Sequence, residues 1–107
     1  MPIENKAGQN ETAKWYKPIL STNGEERRFA NDGIAFWCVK STQGRTDKAF
    51  RDGIQGKKFT CVIATTNLSK INGIDEQGGR VLYNGSLRQV SYAQLNENGS
   101  AMFIALE

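Results

Sequence analysis

The nine residues 58–66, K-F-T-C-V-I-A-T-T, constrain the fold more than any other stretch, with Phe59, Cys61 and Ile63 on one parity and Thr60, Val62 and Ala64 on the other. A run so short and so rich in β-branched residues forms a strand. Residues 33–40, G-I-A-F-W-C-V-K, are apolar on both parities, as in a strand covered on both faces. A helix of that length is the alternative, and the β-branched and aromatic content favours the strand. Turn chemistry surrounds these runs. Asn84-Gly85 separates strand candidates at 80–83 and 86–92, and Asn96-Glu97-Asn98-Gly99 separates candidates at 93–95 and 101–106. Asn and Gly accept positive φ, so each gap reads as a hairpin.

The remaining segments fit around this frame. Residues 1–12 are polar and without period, and are expected to form a flexible N-terminal arm ahead of a single β domain at 13–107. A first strand is expected at 14–20, with Pro18 making it an edge or ending it, followed by a turn at Asn23-Gly24 and a return at 27–29. Residues 67–79 carry Leu68, Ile71 and Ile74 and should lie across one end of the core. Trp15, Tyr16, Phe36, Trp37 and Phe59 all fall in strand candidates and are read as core. The fold class is therefore mostly β: a small antiparallel barrel or sandwich of about six strands with one long basic loop, 41–57.

The chemistry that the composition excludes is as informative. With no histidine among 107 residues, the commonest general base is missing, as is the partner of Ser/His and Cys/His nucleophile pairs. Cys38 and Cys61 alone cannot supply an ordinary four-ligand zinc site. No phosphate-cradling glycine pattern is followed by Lys-Ser/Thr. No cofactor is expected, and only carboxylate or lysine chemistry is left to an enzyme. Both cysteines lie in apolar runs and read as buried thiols, a cross-strand disulfide being the lesser alternative. No apolar run nears the roughly 18 residues of a membrane span and no signal peptide opens the chain, so a soluble cytoplasmic product with no membrane partner is expected.

Charge is concentrated in one place. Residues 40–58 hold six basic side chains (Lys40, Arg45, Lys48, Arg51, Lys57, Lys58) against Asp47 and Asp52, a local excess of four where the whole chain carries +3. Gly44, Gly53 and Gly56 bracket the stretch, and 46–52 could make one or two helical turns with Thr46 as N-cap and Gly53 as stop. Excursions of this length between strands are usually functional or disordered. Two readings stay open on charge alone: a solvated loop, or a surface that faces a polyanion. Phe50 is the segment's lone aromatic, so a single-strand stacking platform is poorly supported.

In order and spacing the chain resembles the tailed-bacteriophage head-tail joining proteins, also called head-closure, head-completion or stopper proteins. The matching stations are Trp37-Cys38-Val39 before the loop, Thr42-Gln43-Gly44-Arg45 opening it, residues 59–64 after it, Gly73-Ile74 in the connection, and Arg80-Val81-Leu82-Tyr83-Asn84-Gly85 where that family shows R-x-x-Y-x-G. Ser86-Leu87-Arg88-Gln89 departs from a pattern that more often places an aromatic soon after the glycine. The resemblance implies a non-enzymatic virion subunit of the neck, assembled in the host cytoplasm as a homo-oligomeric ring. Such a ring would sit between portal/adaptor proteins and a tail-completion protein, seal packaged double-stranded DNA and dock the tail. It further implies that the long loop points into the axial channel, with Arg45, Lys48, Arg51, Lys57 and Lys58 toward DNA and Gly44, Gly53 and Gly56 as hinges. A tail-completion protein at the same joint and an oligonucleotide-binding small barrel are the alternatives.

Overall fold

The computed structural model describes residues 11–20, 27–29, 32–41 and 47–107. Strand β1, Glu11–Tyr16, turns Ala13 and Trp15 inward and leaves Thr12 and Lys14 exposed. It thus begins earlier than the expected 14–20, and Glu11 and Thr12 belong to the barrel and not to the arm. It ends before Pro18, which has no N–H for a ladder. Pro18–Leu20 is a separate short strand, β2, paired only with β3, Arg27–Phe29. Residues 1–10 of the expected arm and the Asn23-Gly24 turn lie outside the described residues.

Six strands close into an antiparallel barrel in the order β1-β4-β5-β8-β7-β6, with β4 at Ile34–Lys40, β5 at Cys61–Thr65, β6 at Arg80–Tyr83, β7 at Ser86–Leu95 and β8 at Met102–Leu106. The β1–β6 pairing, with Trp15 opposite Val81, completes the circle. The expected class is realised as a barrel. Its interior is filled by Trp15, Phe36, Cys38, Ile63, Val81, Ile104 and Leu106 with their neighbours.

β7 is one strand where the sequence suggested a break after residue 92. A register shift between Val90 and Tyr92 lets its first half pair with β6 and its second with β8. This bulge also flips the parity. Val90 and Ala93 both pack on the interior, while Tyr92 points to the outer wall.

β8 is covered on both faces along its whole length. Met102, Ile104 and Leu106 face the interior, and Phe103 and Ala105 are buried outside it beneath a helix, α1, Lys48–Ile54. The same coverage expected for β4 is corrected: only Phe36 and Cys38 are buried there, and Trp37, expected in the core, is 41% exposed. Alternation along a strand reports apolar side chains, and an outward one is buried only where another element lies over it.

One end of the barrel is closed by the connection between β5 and β6, as its isoleucines suggested. A 3-10 turn, Leu68–Ile71, and a single helical turn, α2, Ile74–Gln77, bury Ile71 and Ile74 in the interior cluster. Trp15 Nε1–H donates to the Gly78 carbonyl at 2.7 Å and ties this plug to the wall. Gly79 must be glycine, because at φ +104° a Cβ would stand 2.5 Å from the Tyr16 carbonyl oxygen.

Candidate functional site

The basic excursion between β4 and β5 is built around α1. Asp47 adopts an extended backbone and accepts the Phe50 N–H through Oδ1 at 3.1 Å, capping the helix. Its other carboxylate oxygen accepts the Glu97 N–H at 3.2 Å and pins the helix start to the β7–β8 turn. The N-cap is therefore Asp47 and not Thr46, which lies outside the described residues. The helix passes through Gly53, the expected stop, and ends at Ile54 with Gln55 as C-cap.

Phe50 decides where this helix sits. It is 1% exposed, with its ring centroid 5.5 Å from Tyr92 and 5.6 Å from Phe103. Ile54, one turn on, packs on the same cluster. Gly53 lies so close to Tyr92 that a Cβ would stand 1.8 Å from the phenol oxygen. Among the three glycines read as hinges, it is a close-approach glycine inside a helix. Gly56, at φ +81° with open space around it, turns the chain out of the helix, and Gly44 lies outside the described residues.

Burying Phe50 and Ile54 fixes what the opposite face presents. Lys48, Arg51 and Asp52 are exposed, and Lys48 Nζ bridges Asp52 at 3.2 Å. Lys57 and Lys58 follow, both exposed, with Lys57 Nζ 5.6 Å above the Tyr92 ring. Four of the five basic residues singled out from sequence thus share one exposed segment laid along the barrel, and Arg45 lies outside the described residues.

The second feature was not legible as a site. At the barrel end opposite the plug, β4 and β6 finish and β1, β5 and β7 begin, leaving a polar cleft of about 300 Å³. Glu11, Lys40, Thr60, Cys61, Tyr83 and Arg88 line it, with the Asn84–Ser86 turn at its lip. Glu11 Oε1 accepts from Tyr83 O–H at 2.8 Å and from the Lys40 N–H at 3.2 Å. Arg88 Nη1 donates to Thr60 Oγ1 at 2.9 Å and to the main-chain oxygen of Glu107, the last residue, at 3.0 Å. Burial, with the Glu11 carboxylate adding to it, pushes the Cys38 thiol up to about 12. Burial and the Glu11 hydrogen bond raise the Tyr83 phenol in the same direction. The one sequence signal was Arg88, a charged residue on the same parity as the apolar Val90.

Cys38 and Cys61 are both free thiols. Lys40 stands opposite Ile63, so the two cysteines are offset by about four residues, roughly 13 Å along the ladder, beyond the reach of a disulfide. Among the described residues no cluster of three or more His, Cys, Asp or Glu side chains could hold a metal ion, and no helix is long and apolar enough to cross a membrane. No family model, curated protein or solved structure matches the chain.

Proposed function

We propose that this chain is a non-enzymatic ring subunit of a tailed-phage head-tail connector, one that closes the DNA channel after packaging and offers the tail a docking surface. The observation that supports this reading is α1. At the place where the resemblance puts a channel-facing segment stands a short helix anchored by Phe50, with Lys48 and Arg51 exposed on it and Lys57 and Lys58 exposed just beyond its end. Repeated around a ring between portal/adaptor and tail-completion proteins, such segments narrow the lumen. Their cations displace counterions from DNA phosphates, a sequence-independent attraction suited to holding whatever genome is packaged.

The test is charge reversal of Lys48, Arg51 and Lys58 to Glu in the assembled particle. The exposed Lys48–Asp52 pair contributes only about 0.3–0.5 kcal/mol, so the melting temperature should change little. The fraction of particles that keep their DNA should fall. Particles that retain DNA and join tails normally would reduce α1 to a structural buttress of the barrel.

The exposure of Trp37 favours a second reading, a free nucleic-acid-binding barrel, since a rigid exposed indole is a surface on which a base can stack. That reading requires tight, salt-sensitive binding of single strands by the isolated protein. The connector reading requires weak binding alone and a ring only on its partner.

A further inference from the structure

We propose that Asn84 is a self-modification site, where the chain loses its side-chain ammonia through a succinimide formed with Gly85. Asn-Gly pairs stand at 23–24, 72–73, 84–85 and 98–99, and the first lies outside the described residues. Glycine leaves the following backbone nitrogen unhindered, so each pair holds the reacting atoms. The fold separates the other three. Asn84, at φ +53°, is the one non-glycine residue at positive φ among the described residues, and with Gly85 at φ +80° it makes a type I′ hairpin turn. Closing the ring brings the Gly85 nitrogen over Asn84 Cβ at a ψ of about −120°, which at this φ is the first central position of a type II′ turn. Rotating the one peptide between Asn84 and Gly85 reaches that geometry while Tyr83 and Ser86 stay paired. Both turn residues are exposed, and open space surrounds Gly85. Neither the Asn84 carboxamide nor the Gly85 N–H makes a hydrogen bond among the described residues.

The other two pairs are held. Asn72 has φ −58° and ψ 121°, and at that φ the ring-closing ψ falls outside the allowed regions. Ile71 and Ile74, both buried, fix that turn from either side. At the third pair the Gly99 N–H donates to the Asn96 carbonyl at 3.0 Å, which engages the nucleophile. Asn98 Oδ1 accepts from the Ser100 N–H at 3.1 Å and from its hydroxyl at 2.6 Å, which engages the electrophile.

In the reaction, base takes the Gly85 N–H proton and the nitrogen attacks Asn84 Cγ. The bond from Cγ to the amide nitrogen breaks, and ammonia leaves with a proton from water. Water then opens the ring. Cleavage at Cγ gives aspartate, and cleavage at the main-chain carbonyl gives isoaspartate, whose backbone runs through Cβ and is one atom longer. A two-residue turn cannot take that atom and keep Tyr83 opposite Ser86, so the β6–β7 hairpin loosens. This chemistry belongs to that turn and is independent of α1 and of the connector reading.

The test ages the full chain in mildly alkaline buffer, folded and in urea, and follows each pair by mass spectrometry. Trypsin places them on separate peptides, 71–80, 81–88 and 89–107. In the folded chain 81–88 should gain the amide-to-acid mass difference roughly fivefold faster than either other peptide, a factor set by the release of one hydrogen bond. In urea the three should react at comparable rates. Equal rates in the folded chain, or a preference for 81–88 that persists in urea, overturn the proposal. Asn84→Asp carries the product's charge without the extra atom and suits the same turn, so it should melt near the parent. The isoaspartate fraction of aged protein, separated by chromatography, should melt lower. An isoaspartate fraction as stable as Asn84→Asp overturns the loosening of the hairpin.

Discussion

Cys38 shows how one buried side chain carries pH dependence for the whole barrel. In the unfolded chain its thiol titrates near its ordinary value of 9.0, whereas in the fold burial beside Glu11 pushes it up to about 12. Between those values the unfolded state has lost its proton and the folded state keeps it. Stability is therefore fully present below about pH 9 and falls as pH rises toward 12, by at most about 1.4 kcal/mol per pH unit for this group. Tyr83, raised for the same reasons, adds to the loss in the same direction. Melting temperature followed from pH 8 to 11 should fall more steeply for the parent than for Cys38→Ala, although the variant starts lower by roughly 1–2 kcal/mol of lost packing. Equal slopes would show that the thiol is not held protonated by the fold. The Cys38 thiol should also resist alkylation at neutral pH until the barrel unfolds. Its burial was legible from the apolar run around it. Its neighbour Glu11 was not, because a glutamate at the edge of a polar stretch carries no local mark of pairing with Tyr83, which lies 72 positions away.

At the scale of elements, legibility followed locality. Residues 58–66 and the Asn84-Gly85 and Asn96–Gly99 turns are decided by neighbours in sequence, and the structure has a strand or a hairpin at each. Trp37 and Phe50 depend on what lies over them. The indole was expected inside and is exposed, while the phenylalanine in a charged segment is 1% exposed. The parity flip at Val90/Tyr92 is equally silent in the sequence, since a bulge changes which face is apolar without changing composition. The α1 contact gives a sharp test at Gly53. Alanine has a helix propensity about 1 kcal/mol better than glycine, yet a Cβ there would stand 1.8 Å from the Tyr92 oxygen. Overpacking of this kind costs about 1–3 kcal/mol, so Gly53→Ala should be destabilising on balance in urea unfolding, and combining it with Tyr92→Leu should recover much of the loss. A Gly53→Ala variant more stable than the parent would mean that α1 stands off the wall.

For the whole molecule, barrel closure limits what the chain can do alone. Pairing of β1 with β6 removes the open sheet edges through which β proteins most readily associate, leaving the short β2–β3 ribbon as the open sheet among the described residues. The large exposed apolar side chains described are Trp37, Leu87 and Leu95, and they do not form one broad patch: Trp37 lies on β4, Leu87 at the start of β7 and Leu95 at its far end. Scattered residues of this kind are ordinary on a monomer. A net charge of +3, with exposed cations on and just after α1, adds repulsion between copies. On the proposed connector reading, ring formation would have to draw on a template that presents many binding positions at once and raises the local concentration of subunits. Light scattering on the purified chain at micromolar concentration should report a mass near 11.9 kDa. Raising ionic strength to 0.5 M should weaken the repulsion without producing a defined ring, because screening removes an obstacle but supplies no complementary surface. A stable ring of fixed size formed by the protein alone at low salt would contradict this account, and would require a self-complementary face that includes Trp37 or Leu87.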